Sequence, residues 1–262
     1  MPGTLGVVGG RIIMPPNTYS PASVWYSTSV SAGAAANTKG SWNQVVAATT
    51  SPTTAIGLAV NGVGASSSNR AALLDIGVGP SGSEVVVAGN IAVGMASLIE
   101  FLVPVAIPQG SRVALRHQNA TSGAAMNVRT QFMNGGPLPF PPSSVDVLGT
   151  NPSTSSGATV SNAAWTEVVT TSVAYQAVVA VWSAGGTTSL AATTGSSLVA
   201  YGAAGSEVQV NATYVATTTA EIITAINGAG WDCGACPAGT RISGRKSGNT
   251  NIELCIIGVP YG

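Results

Sequence analysis

The sequence predicts an all-β protein built as two tandem duplicated β-sandwich or jelly-roll-like domains. Three observations carry that reading: short β-branched runs broken by turn residues, almost no helical periodicity, and a chain that repeats itself. Runs such as "WNQVVAAT", "AIGLAVNGV", "SRVALRHQ" and "QAVVAVWS" are rich in Val, Thr and Trp. Gly, Ser, Asn and Pro clusters separate them at strand-like spacing. Many short antiparallel strands in a unit of this size make a sandwich or a jelly roll. The stretch "TTTAEIITAI" (217–226) is the one candidate for a turn or two of helix, with another strand as the alternative.

The repeat is tandem. "GSWNQVV" (40–46) matches "AAWTEVV" (163–169), and "GPSGSEVVV" (79–87) matches "GAAGSEVQV" (202–210), both 123 positions apart. "PQGSRVALR" (108–116) matches "PAGTRISGR" (237–245) at an offset of 129, and "NVRTQF" (127–132) aligns with "NIELCI" (251–256) at 124. Upstream, "PASV" (21–24) matches "PSSV" (142–145). Blocks in one order, with offsets that drift where loops fall, are the signature of a duplication. The predicted organisation is an arm at 1–20, a first copy at 21–133, a Pro/Gly linker at 134–141 and a second copy at 142–262.

The duplication also disposes of a motif. "GVGPSG" (77–82) spells G-x-G-x-x-G after an apolar run, the pattern that seats a dinucleotide when a helix follows. Here "SEVVVAGNIAV" follows, which reads as strand, and the second copy has only "GAAG" (202–205) at that place. What both copies share is a glycine turn feeding a strand, as a hairpin requires.

Composition narrows the function. Charged residues are 7% of 262, against about 25% in an ordinary soluble domain, and nine basic residues cancel nine acidic ones. Without a basic excess there is no electrostatic footprint for a nucleic-acid backbone. With 45% hydrophobic residues the chain is not disordered. Near-zero net charge gives little repulsion between copies, which suits an assembly. The amino terminus shows no basic region leading into an apolar core, so no signal peptide is expected. The apolar stretch at 85–108 has bilayer-spanning length, but Asn90, Glu100 and Pro104 interrupt it, so it reads as successive strands and not as a membrane span.

Catalytic chemistry finds little footing. The single histidine, His117, has no counterpart in the second copy, and no nucleophile elbow is present. Neither catalytic residues nor a cofactor are expected. With so few charges, one Glu and two Arg recurring in both copies point to a structural role. A partly buried carboxylate needs a partner, so Glu84 is expected to contact Arg112 or Arg116, and Glu207 to contact Arg241 or Arg245. Contacts between subunits are the alternative use of these six residues. Cys233, Cys236 and Cys255 all fall in the second copy, Cys236 aligning with Ile107 and Cys255 with Gln131. Three states stay open for them: packed reduced thiols, a disulfide whose odd thiol links subunits, or a metal site that would need a fourth ligand. Trp42 and Trp165, at equivalent strand positions, are expected to anchor the two sandwich cores. Asn119 and Asn211 open N-x-[ST] sequons that carry little weight without a secretory signal.

The segments "ANTKGSWNQVV", "LLDIGVGPSGSEVV" and "PVAIPQGSRVALRHQ" resemble structural proteins of tailed-bacteriophage particles. The resemblance covers most of the first copy and, more faintly, the second. It implies a β-sandwich virion component with no catalytic residues, found in the particle after assembly in the host cytoplasm. The partners it implies are the chain itself, as a homo-oligomer of which a trimer is one form, and a major capsid protein or other virion proteins. Capsid decoration (cement) is the role expected first, with a tail, collar or fibre component as its variant. A different class, a carbohydrate- or receptor-binding module, would need Trp25, Tyr26, Trp182 and Tyr201 exposed beside polar groups.

Overall fold

The computed structural model describes residues 7–8, 11–12, 24–63, 71–94, 99–134, 141–162, 164–183, 193–217, 223–226, 231–247 and 252–261. They are all-β and contain no helix, so none that could cross a membrane. Two short strands of the arm, β1 (Val7–Val8) and β2 (Arg11–Ile12), pair with each other. The first copy runs β3 (Trp25–Ser31), β4 (Asn43–Val46), β5 (Ala55–Val63), β6 (Ala71–Val78), β7 (Val85–Gly94), β8 (Ile99–Val103), β9 (Val113–Asn119) and β10 (Ala125–Met133). The second runs β11 (Asp146–Leu148), β12 (Thr150–Asn151), β13 (Ser156–Val160), β14 (Thr166–Thr170), β15 (Tyr175–Ser183) and β16 (Thr193–Tyr201). It continues through β17 (Val208–Thr217), β18 (Ile223–Ile226), β19 (Trp231–Asp232), β20 (Arg241–Lys246) and β21 (Ile252–Pro260).

All the sheets are antiparallel. In the first copy, sheet β3-β10-β5-β8 faces sheet β4-β9-β6-β7 across a core of Val30, Ile56, Leu58, Leu74, Ile76, Leu115 and Met126. In the second, β12-β13-β21-β15-β19, with β11 also on β21, faces β14-β20-β16-β17-β18. The glycine string is a hairpin turn between β6 and β7, with Gly79 at φ 127° and Gly82 at φ 81°. Gly202 (φ 120°) and Gly205 (φ 82°) repeat it. A side chain at positive φ is strained, so glycine is required there in both copies. The 217–226 stretch resolves in favour of strand where it is described, as β18.

The copies share two irregularities, while a further shift of β6–β7 between Leu74 and Ile76 belongs to the first copy alone. β4 bulges against β9 between Gln44 and Val46, and β14 bulges against β20 between Glu167 and Val169. Val87 of β7 is left without a partner between Val86 and Ala88, as Val210 of β17 is between Gln209 and Asn211. A bulge reorients every side chain beyond it, so recurrence at the same place fixes the same faces twice.

Two alignments need correction, the block at 127–132 and that at 21–24, where Val24 falls at Asp146 and not at Val145. The bridges Thr53↔Ile107 and Tyr175↔Cys236 put β5 and β15 at an offset of 122. Arg129 lies opposite Ala59 and Cys255 opposite Val181, so Cys255 occupies the place of Arg129, not Gln131, and Ile257 takes the place of Gln131. The offset there is 126. β3 has also been split: Trp25 corresponds to Val147 in β11, but Val30 corresponds to Val160 in β13. The offset grows from 122 to 130, an insertion of eight residues that includes β12. Gapless matching of the blocks could not place it.

The second departure from expectation is the core. The sequence predicts one core per sandwich. Instead Ala177, Val179, Val181, Cys255, Ile257 and Val259, on one face of β15 and β21, join the first copy's cluster with Val87, Ala88 and Ala92 of β7. The opposite face, with Val178, Ala180, Trp182, Leu254 and Ile256, forms the second copy's own core. The two copies therefore share apolar surface through a sheet buried on both sides.

Trp42 does not sit between the sheets. It lies on the outer face of β6, so close that a Cβ built on Gly77 would come within 2.6 Å of its ring. Gly77→Ala is therefore expected to destabilise the protein by roughly 1–3 kcal/mol through overpacking. A urea midpoint equal to the parent's would contradict this placement of the indole.

Candidate functional site

The charged side chains gather into ties on the outer faces of β6 and β9 and their second-copy counterparts. Arg112 leaves the Pro-x-Gly-[ST]-Arg turn and donates from Nη1 to Glu84 Oε1 at 2.6 Å and to the Gly79 carbonyl at 3.3 Å. Its Nε donates to Gln44 Oε1 at 2.9 Å. Arg241 repeats each bond: Nη1 to Glu207 Oε1 at 2.9 Å and to the Gly202 carbonyl at 3.4 Å, and Nε to Glu167 Oε2 at 3.0 Å. Each glutamate also accepts from the turn it follows, Glu84 from the Gly82 N–H and Glu207 from the Gly205 N–H, both at 2.9 Å. The arginine thus fastens the hairpin turn to the neighbouring strand.

Desolvation pushes both carboxyls up. Their own backbone N–H groups, the arginine and the turn N–H outweigh it and hold them below the usual carboxylate value. The second arginine of each motif does something else. Arg116 lies 4.3 Å over the Trp42 ring and Arg245 5.2 Å over Trp165, so these indoles serve as cation–π platforms outside the core.

A hub that the sequence reading missed stands next to the first tie. Asp75, buried in β6, accepts from Lys39 Nζ at 2.7 Å, from the Asn90 N–H at 2.7 Å and from Arg116 Nε at 2.9 Å. Asn90 adopts φ 62°, and the β6–β7 register shifts beside it. Burial lowers the Lys39 ammonium, against the pull of Asp75. The signal was legible: an acid inside the apolar run "AALLDI" needs a partner. The second copy has Leu198 at this position.

His117 is buried, with Nε2 3.1 Å from the Val30 carbonyl, and burial lowers its pKa. Lys246 is its counterpart across the 129-residue offset, and burial lowers its ammonium to about 8. Neither lies in a cluster of metal-binding side chains; among the described residues there is no such cluster. All three cysteines are buried thiols. Cys233 and Cys236 pack in the second copy's core and Cys255 in the cluster shared with the first. Cys255 accepts the Ala92 N–H at 3.3 Å across the junction between the copies, and burial pushes its thiol up to about 12. Asn119 is buried, and its Oδ1 accepts the Thr121 N–H, so that sequon is closed as well.

The aromatic set proposed for a glycan does not converge. Trp182 is core, Tyr26 stacks edge-on against Phe132, Tyr201 packs against the second copy's core, and Trp25 alone of the four is exposed.

The junction has a polar side too. Gln118 Nε2 donates to the Pro152 carbonyl at 2.6 Å and to Ser155 Oγ at 3.1 Å, and Ser155 Oγ donates to Asn37 Oδ1 at 2.7 Å. Pro152 and Ser155 belong to the inserted segment, which latches the second copy onto the first. On the apolar side, Glu253 shares the face of β21 that carries Cys255. It is 4% exposed and accepts the Gly157 N–H at 3.0 Å. Burial pushes its carboxyl up to about 7, against that hydrogen bond.

No family model and no curated protein matches the chain. Among solved structures, the crystal structure of the STIV MCP, a viral major capsid protein, is similar at 9% identity. It covers 90% of this chain and 96% of that one, with a TM-score of 0.29. A superposition that loose transfers neither fold nor role.

Two outcomes follow from the buried groups. A folded-state carboxyl raised to about 7 from 4.5 stabilises fully below about 4.5, and that stability is lost as pH climbs through 7. Glu253→Gln should remove this slope and leave the variant more stable than the parent at pH 8, by up to on the order of 3 kcal/mol. Urea titrations at acid and alkaline pH measure it, and an unchanged slope would count against a buried carboxylate. The three thiols should react with a thiol reagent only as the protein unfolds, and reductant should leave the solution mass unchanged. Fast labelling of the native protein would contradict their burial.

Proposed function

We propose that the chain is a non-enzymatic structural component of a virus particle, specifically a bacteriophage capsid decoration protein that stabilises the shell through subunit contacts. The observation that carries this reading is how the charged groups are used. Glu84, Arg112, Glu207, Arg241 and Asp75 are committed to tying strands and turns together, the first four in matching geometry in both copies. These contacts hold a scaffold rigid. The likeness of "LLDIGVGPSGSEVV" and "PVAIPQGSRVALRHQ" to phage virion proteins supports the same reading. So does a surface with little net charge to keep copies apart. The mechanism is mechanical: two rigid copies per chain each offer weak contacts, and these add through multivalency.

An antibody raised against the recombinant chain, used in immunogold electron microscopy of particles purified from cells that make it, tests this. Gold at regular positions on the particle shell is expected. Antigen that stays in the soluble fraction, with particles unlabelled, would overturn the proposal.

A further inference from the structure

The packing of the second copy onto the first points to a contact that the same chain leaves half-made at each end. Within the chain, the entry to the second copy lies against the lower half of β7. The Val145 N–H donates to the Val87 carbonyl at 2.9 Å, and Val147 packs into the first copy's cluster. Val87 is the bulged residue of β7, and the contact leaves it 7% exposed.

The β7 half of this contact recurs in β17, and the place of Val147 recurs at Trp25. Val210 is the bulged residue of β17 at the place of Val87, and it is 36% exposed. β18 pairs with β17 only from Tyr214 to Thr217, so among the described residues no strand covers the edge at Val208–Asn211. At the other end, Trp25 is the counterpart of Val147 and Val24 that of Asp146. They are 46% and 61% exposed where Val147 is partly buried. Trp25 and Val210 are exposed where their counterparts Val147 and Val87 are covered, and Val24 and Val208 flank them, Val208 as exposed as its counterpart Val85. An uncovered strand edge beside exposed apolar side chains is a surface built for pairing.

We propose that the β17 edge at Val208–Asn211 receives Val24 and Trp25 of a second copy of this chain. Between chains, Trp25 takes the place beside β17 that Val147 takes beside β7 within the chain. The centre of the internal junction is not repeated. There Cys255 meets Ala92 in the upper half of β7, whereas the corresponding part of β17 is taken by β18, and Arg129 stands exposed at the place of Cys255. The contact between chains is therefore confined to the lower edge and is small. It joins unlike surfaces, so it propagates head to tail, closing into a ring if the rotation allows and otherwise extending. This inference rests on the chain being an assembly subunit, and it names the surface that assembly would use.

Trp25→Ser and Val210→Lys each block one half of the contact. Sedimentation velocity of the parent up to on the order of 100 µM, the range of a small weak interface, should show at least about a twofold rise in mass above 25.8 kDa. Each variant alone should stay monomeric. An equimolar mixture of the two should form dimers and stop there, because one intact half remains on each chain. Val173→Lys, at an exposed valine elsewhere, should leave the parent's association intact. Circular dichroism confirms folding, and Val24→Ser with Val208→Lys replaces any variant that fails to fold. Variants that still associate, or a mixture that stays monomeric, would overturn this surface while leaving the assembly reading in place. A parent that is monomeric throughout would likewise overturn this contact, and the labelling of particles would still decide the proposed function.

Discussion

Everything else in the molecule hangs on the seating of one sheet face. Ala177, Val179, Val181, Cys255, Ile257 and Val259 leave water only because β7 of the first copy lies against them. Each buried valine or isoleucine adds roughly 1.5–3 kcal/mol, and a sheet with that face exposed would carry an aggregation-prone patch. The equivalent face of the first copy is made differently. Where the second copy has Glu253, Cys255 and Ile257, the first has Asn127, Arg129 and Gln131. The duplication produced two like sandwiches, and the exchange of Arg129 and Gln131 for Cys255 and Ile257 gave them a fixed order. The second copy can cover the first, but the first cannot cover another in the same way.

The inserted segment sharpens that order. By splitting β3's counterpart into β11 and β13, it brings Pro152 and Ser155 within reach of Gln118 and Asn37. Apolar burial alone is tolerant of small slides, whereas four polar groups in fixed geometry admit one register. Glu253 works against this fit. A carboxyl with one N–H donor inside an apolar junction favours its neutral form, so the junction is tightest in acid and carries a burden at alkaline pH.

Much of this was legible in the sequence, and what was not had physical causes. The all-β class, the repeat and the glycine hairpins followed from β-branched runs and from the same glycines recurring ahead of the same glutamates. The choice of Arg112 over Arg116 for Glu84 was not readable, because Asp75, which takes Arg116, was not recognised as its partner. Trp42 misled for a related reason. An indole in a strand reads as core, but glycine at position 77 makes a seat for it on the outside. The two-sided burial of β15 and β21 left a trace in their nearly unbroken apolar runs, "AVVAVW" and "LCIIGV", which is how strands covered on both faces read. The offset at Cys255 was lost because the β20–β21 connection is three residues shorter than the β9–β10 connection, so the offset falls from 129 to 126 between strands.

The arginine ties explain why the two copies could diverge so far without losing their shape. Arg112 and Arg241 each bind a turn carbonyl, a glutamate after the turn and a side chain on the adjacent strand. These three points fix the hairpin's angle to the sheet independently of what fills the core behind it. With that corner held, the core could exchange His117 for Lys246 and the outer face Asp75 for Leu198, and the bulges at Val87 and Val210 still fall in register. A scaffold fastened at its corners leaves its faces free to specialise. One face became an internal junction, and the matching edge of the other copy stayed open.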